Sequence, residues 1–228
     1  MKKEKLNPQE IASKQIEIDN ELNKIYDDPT YDGVINPEKY CQAPIKILWI
    51  LKEVNDDGGY CQRKAFNNSI ENLMKARKDW YRTLDPIIYT TYSILNGFML
   101  WGEMDYIKDN PQMIEVLKQI SYINIKKEAG GSVSFNDVLS KAYQKNRNII
   151  INQIELSNPD VIICGNTLEF FMDDLKINKE ELTAIDNVEY IIQGSRLIIN
   201  AYHPNQRTIG QEEYCDSIIK LVKKLHTV

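Results

Sequence analysis

Asn158-Pro-Asp-Val-Ile-Ile-Cys-Gly165 is the stretch on which the fold turns. Asn158-Pro159 closes a helical pattern reaching back to about Asn136, with Leu139, Ala142 and Tyr143 spaced to face inward. Asp160-Val-Ile-Ile-Cys164 then gives a continuous β-branched run, as in a strand buried on both faces of a sheet. Working outward, Ile45–Leu51 and Ser121–Ile125 are runs of the same kind upstream. Downstream, Tyr190–Gln193 and Leu197–Ala201 flank Gly194-Ser195 and read as paired strands, and Tyr214, Ile218, Leu221 and Leu225 mark a closing amphipathic helix. This alternation predicts an α/β protein, specifically a three-layer α/β/α domain with a mainly parallel four-stranded sheet. Residues 1–44 are expected to form an N-terminal helix and irregular connection packed on a single domain at 45–228.

The N-terminal helix is signalled by Asn7 as cap, Pro8 at the first helical position and Glu10 reaching back to the cap, with Ile11, Ile18, Leu22 and Ile25 on one face. Pro29, Gly33, Pro37 and Pro44 break up the connection that follows. Three helices are expected in the middle: one around Phe66–Met74, one opened by Asp85-Pro86 and one opened by Asn110-Pro111. Gly165-Asn166-Thr167 turns toward another helix, either as a plain capped turn or as amides able to receive an anion.

Composition is that of an ordinary globular chain, with 43% hydrophobic and 27% charged residues among 228. The formal net charge of −5 argues against non-specific coating of nucleic acid, although local basic patches can act against an acidic average. Arg77, Arg82, Lys126, Lys127, Arg147 and Arg207 are the residues available for such a patch. Cys41, Cys61, Cys164 and Cys215 are scattered without a C-x-x-C pair and read as reduced thiols. No apolar run approaches the ~20 residues of a membrane span, and Met1-Lys-Lys-Glu-Lys lacks the apolar stretch of a secretory signal, so a cytoplasmic location is expected. The glycine-rich dinucleotide fingerprint, the P-loop, the nucleophile-elbow serine and the H-E-x-x-H zinc motif are all missing from the sequence.

The strand exits carry the chemistry. Ligands in open α/β sheets bind beyond the carboxyl ends of the strands. There the sequence sets Glu53 after Ile45–Leu51, Asn124 in Ser121–Ile125, and His203, one of two histidines, after Leu197–Ala201. Each has a purely structural alternative. Glu53 could be a solvated loop carboxylate, Asn124 could tie down a neighbouring loop, and His203 could fix the turn before Pro204 through a backbone hydrogen bond.

In order along the chain, Leu51-Lys-Glu-Val-Asn55, Ser121-Tyr-Ile-Asn-Ile-Lys126, Asn158–Gly165 and Ala201-Tyr-His-Pro204 resemble the motifs of the uracil-DNA glycosylase superfamily. The resemblance implies base excision by hydrolysis of an N-glycosidic bond in DNA, without metal or organic cofactor. It implies that Glu53 orients water or stabilises the sugar cation, that Asn124 reads the edge of the extruded base, and that His203 stabilises charge on the leaving base. Asn55, Tyr60 and Phe66 are candidates on the base-binding side. Lys126, Lys127, Asn205 and Arg207 are the implied DNA contacts, Arg207 standing at the wedge position. The chain departs from the family pattern at Lys52 and Asn55, which replace Gly and Pro of the first motif, and at Asn205, which replaces Ser. Lys127 stands where iron–sulfur members carry a cysteine, so no cluster is expected. Two alternatives remain: a binding module of the same fold with impaired catalysis, and a hydrolase of free nucleosides or nucleotides. The expected partner is DNA or a nucleobase-containing ligand, not a membrane.

Overall fold

The computed structural model describes residues 6–54, 59–130 and 135–226. In chain order the elements are α1 (Pro8–Ile25), β1 (Gly33–Val34), α2 (Pro37–Gln42), β2 (Ile47–Leu51), α3 (Gln62–Phe66), α4 (Ile70–Leu95), β3 (Ser121–Asn124), α5 (Asn136–Ser157), β4 (Val161–Gly165), α6 (Met172–Leu175), β5 (Thr183–Ile185), β6 (Val188–Gln193), β7 (Arg196–Ala201) and α7 (Gln211–His226). Short 3₁₀ segments fall at Trp101–Glu103, Pro111–Gln119, Leu168–Phe170 and Lys179–Glu181. The protein is α/β, and its strands form a mixed sheet of seven. No helix among the described residues is long and apolar enough to cross a membrane.

The residues group into two compact units. The first comprises the described residues up to Asn67 together with those of Lys118–Pro159. Its β2 and β3 run parallel with Leu51 opposite Asn124, and β1 joins β3 antiparallel. All five residues of β2 are buried, as its unbroken apolar run predicts. Helix α1 packs on α5, where Ile18, Leu22 and Tyr26 meet Ile149. Asn7 caps α1 by accepting the Gln9 amide at 3.0 Å. Glu10 does not reach back to the cap but pairs with Lys14 at 2.7 Å, one turn on. Ile25, expected on the inner face, is 39% exposed.

The second unit comprises Asn68–Leu117 and the described residues from Asp160 onward. Strands β4 and β7 are parallel, while β6 pairs antiparallel with both β7 and β5. Gly194 opens the two-residue β6–β7 turn at φ +61°, a conformation open to glycine without steric cost. Helix α7 lies on α4 and β7.

Two expectations are corrected. The sheet is mixed and has seven strands: β1 and β5 are short antiparallel additions, and β6, read as a partner of β7, pairs with it antiparallel. The middle is not three helices: α4 runs unbroken for 26 residues with Pro86 in its interior. A proline there removes one helical hydrogen bond, but the turns around it, Leu84–Thr91, are buried, and tertiary packing outweighs the local preference. Asn110-Pro111 opens a 3₁₀ segment rather than an α-helix. Beyond Gly165, Asn166 adopts φ +57° and its amide donates to the Ala201 carbonyl at 2.8 Å, so this turn is structural.

Asn158 ends α5 in the left-handed region at φ +38°, its amide donating to Ile154 and Glu155 carbonyls. Asparagine tolerates this conformation better than residues without a local hydrogen-bonding side chain. Asn158→Ala is therefore expected to lower stability by about 1 kcal/mol and Asn158→Gly to leave it level or slightly higher. Urea unfolding at constant slope checks both.

Candidate functional site

In the first unit the parallel pairing of β2 and β3 sets two polar side chains at neighbouring strand exits. Leu51 is opposite Asn124, and beyond them the pairing continues: Ile125 donates to the Leu51 carbonyl at 3.0 Å, and Lys126 to that of Lys52 at 2.9 Å. Glu53 lies two residues past Leu51, with its side chain only 8% exposed. Lys126 reaches back so that its Nζ stands 3.3 Å from Glu53 Oε2. Gly130 closes over this pair, its amide donating to the Val54 carbonyl at 2.9 Å. A Cβ at Gly130 would fall 2.3 Å from Glu53 Oε2 and 2.8 Å from Lys126 Nζ, so a larger residue would displace both charged ends.

Asn124 is completely buried, and neither Oδ1 nor Nδ2 has a hydrogen-bond partner. Gln15, Thr30 and Ser121 each leave a single side-chain oxygen in that state, but Asn124 alone among the described residues leaves both ends of an amide. A buried polar group without a partner costs about 1–3 kcal/mol. The backbone beneath it is held firmly. Asp32 Oδ2 accepts the Asn124 amide at 2.7 Å, and the same carboxylate binds Lys127 Nζ at 2.6 and 2.9 Å. Gln153 of α5 completes the cluster, donating to Asp32 Oδ1 and accepting from Lys127 Nζ, both at 2.8 Å. Asn146 of α5 donates to the Ile125 carbonyl at 3.2 Å and accepts the Tyr26 hydroxyl at 2.9 Å. The strand end is clamped while the amide it carries stays uncommitted.

Lys127 therefore needs correction as a DNA contact: it is fully buried in an ion pair with Asp32 and cannot meet a phosphate. Burial pushes its ammonium pKa down, against the opposing pull of Asp32. Lys126 remains half-buried beside Glu53. Phe66 is 2% exposed and sets its ring edge-on to Tyr122, with centroids 5.4 Å apart. Tyr122 and Asn124 are two apart on β3 and so share a face; Phe66 joins that face through Tyr122. Burial holds the Tyr122 hydroxyl pKa well above its ordinary value. Tyr60 is half-buried, and its carbonyl accepts the Tyr31 amide at 2.8 Å. Asn55 lies outside the described residues.

His203, Asn205 and Arg207 belong to the second unit, in the turn that follows β7. His203 Nδ1 accepts the Asn205 amide at 3.2 Å, and the His203 carbonyl accepts the Gln206 amide at 2.9 Å. The imidazole does fix its turn, as the structural alternative had it. The same bond leaves the proton of the neutral ring on Nε2, which makes that nitrogen a donor. Asn205 and Arg207 are exposed. All four cysteines are free thiols, and burial pushes those of Cys164 and Cys215 up to about 12, far from nucleophilic thiolates at neutral pH.

The chain matches no protein-family model and no curated protein.

The sequence reading missed Asp32, Gln153 and the close approach of Gly130. Asp32 sits in a proline-broken connection 95 residues from Lys127, and no local pattern marks such a partnership. Lys127→Met is expected to destabilise the protein by about 3–5 kcal/mol by leaving Asp32 buried without its cation. Asp32→Asn combined with Lys127→Met should recover a large part of that loss. Urea midpoints of the two variants give the comparison.

Proposed function

We propose that the protein is an N-glycosidic hydrolase that removes uracil or another altered base from DNA, built on a uracil-DNA glycosylase-like three-layer fold. The observation that carries this reading is the Asn124 amide, buried at a strand exit with donor and acceptor both unpaired. A primary amide of this kind matches the pairing edge of a nucleobase, which offers an acceptor and a donor side by side. The target base has to leave its stack to reach such a group.

In this reading Glu53 faces the sugar, where cleavage builds positive charge, and orients the attacking water. His203 is carried by the other unit, and the motif resemblance alone gives its Nε2 the role of donating to a departing base. Asn205 and Arg207 hold the DNA. Support comes from the low exposure of Glu53 and from the Nδ1 hydrogen bond that leaves Nε2 as the donor nitrogen of a neutral His203 ring. Preorganised donors and charges of this sort act where transition-state charge develops.

One observation favours a second reading, in which the protein binds a nucleobase-containing ligand without cleaving it. Glu53 already faces the Lys126 ammonium at 3.3 Å, and a carboxylate so paired is a weaker partner for a sugar cation.

The test is incubation with single- and double-stranded oligonucleotides bearing uracil, hypoxanthine or a mismatch, followed by alkaline cleavage at abasic sites. Product is expected, with the rate falling about 10²–10³-fold in His203→Ala and at least as far in Glu53→Gln. Asn124→Ala should lose discrimination between bases as well as rate. Binding without product moves the assignment to the second reading. Base release confined to free nucleosides would make the protein a nucleoside hydrolase.

A further inference from the structure

Arg77 and Arg82 sit on the same helix, and the structure separates their roles. Arg77 donates from Nε to Asp85 Oδ1 at 3.1 Å and from a terminal nitrogen to Asp85 Oδ2, so its charge is answered within α4. Arg82 is exposed and donates from Nε to the hydroxyl of its neighbour Tyr81 at 3.1 Å, with the guanidinium 5.7 Å from that ring's centroid. Arg207 reaches the same cavity from the turn after His203. Both arginines line a hollow of about 290 Å³ together with Pro86, Pro204 and Tyr214, and among the described residues they are its only charged lining residues. Among the described residues, neither arginine has a carboxylate partner.

The turn carrying Arg207 is fastened on both sides. Gln206 Oε1 accepts the Thr208 amide and, at 2.9 Å, the Ile209 amide, while Gln206 Nε2 donates to the Ile209 carbonyl at 3.0 Å. Two cations lining one hollow favour an anion there. Guanidinium forks match the paired oxygens of a phosphate, and each stays charged at any physiological pH. A hollow near the ~300 Å³ lower bound of small-ligand sites suits a phosphate with little more than one attached sugar.

We propose that Arg82 and Arg207 are the two jaws of a phosphate-binding cleft contained within the second unit. The inference rests on the glycosylase reading only in taking a nucleic-acid strand as one source of the phosphate; a free phosphorylated small molecule is the other.

The test uses the full chain and the variants Arg82→Gln, Arg207→Gln and their double, with Lys78→Gln as a control on the same helix. Two probes are titrated at matched ionic strength: a short fluorescein-labelled single-stranded oligonucleotide without uracil, and inorganic phosphate by calorimetry. Each arginine substitution is expected to weaken binding about tenfold or more. For the oligonucleotide it should also lower the slope of log affinity against log salt by about 0.7 per lost contact. Melting temperatures should not move, because both side chains are exposed. Arginine-dependent heat with phosphate alone identifies a free-phosphate ligand, while arginine-dependent oligonucleotide binding without that heat identifies a strand phosphate. The proposal is overturned if neither probe binds the native protein, or if the double variant binds both as well as the native protein does. Failure of base excision in the earlier assay would leave these outcomes untouched.

Discussion

A buried carboxylate, that of Asp32, holds the first unit in working order. It neutralises Lys127, accepts from Gln153 and fixes the Asn124 amide, so a connection, a strand exit and α5 meet on two oxygen atoms. A charge taken out of water is tolerable only when paired and hydrogen-bonded on every side. Here every one of those contacts is also a constraint on where β3 ends. The backbone that carries the unpartnered side chain of Asn124 is fixed by that carboxylate.

The parts of this arrangement that follow local rules were legible in the sequence. The buried run of β2 needed only its unbroken apolar character, and the end of α5 needed only Asn158-Pro159. The β6–β7 hairpin was marked by Gly194-Ser195 between apolar runs. The positions of Glu53 and His203 just past strand ends, and of Asn124 at the last position of β3, followed from the strands themselves.

Long-range interactions were not legible. Lys126-Lys127 reads as two surface cations, yet one pairs with Glu53 and the other is sealed beneath the strand. The difference lies in a partner from another part of the chain, which adjacency does not reveal. Asp85-Pro86 carries the signature of a helix start, but the pairing of Asp85 with Arg77 and the burial of the turns around it keep α4 continuous. The antiparallel additions β1 and β5, two and three residues long, have too little pattern to register as strands.

The brevity of those two strands has a consequence for the protein in concentrated solution. They stand at the two edges of the sheet, where an unpaired backbone would otherwise template another chain. Each of these edge strands on its own offers few free amides and carbonyls to a passing strand. Asp32 next to β1, and Glu181 and Asp186 around β5, set charge beside both, a further deterrent to edge-on addition.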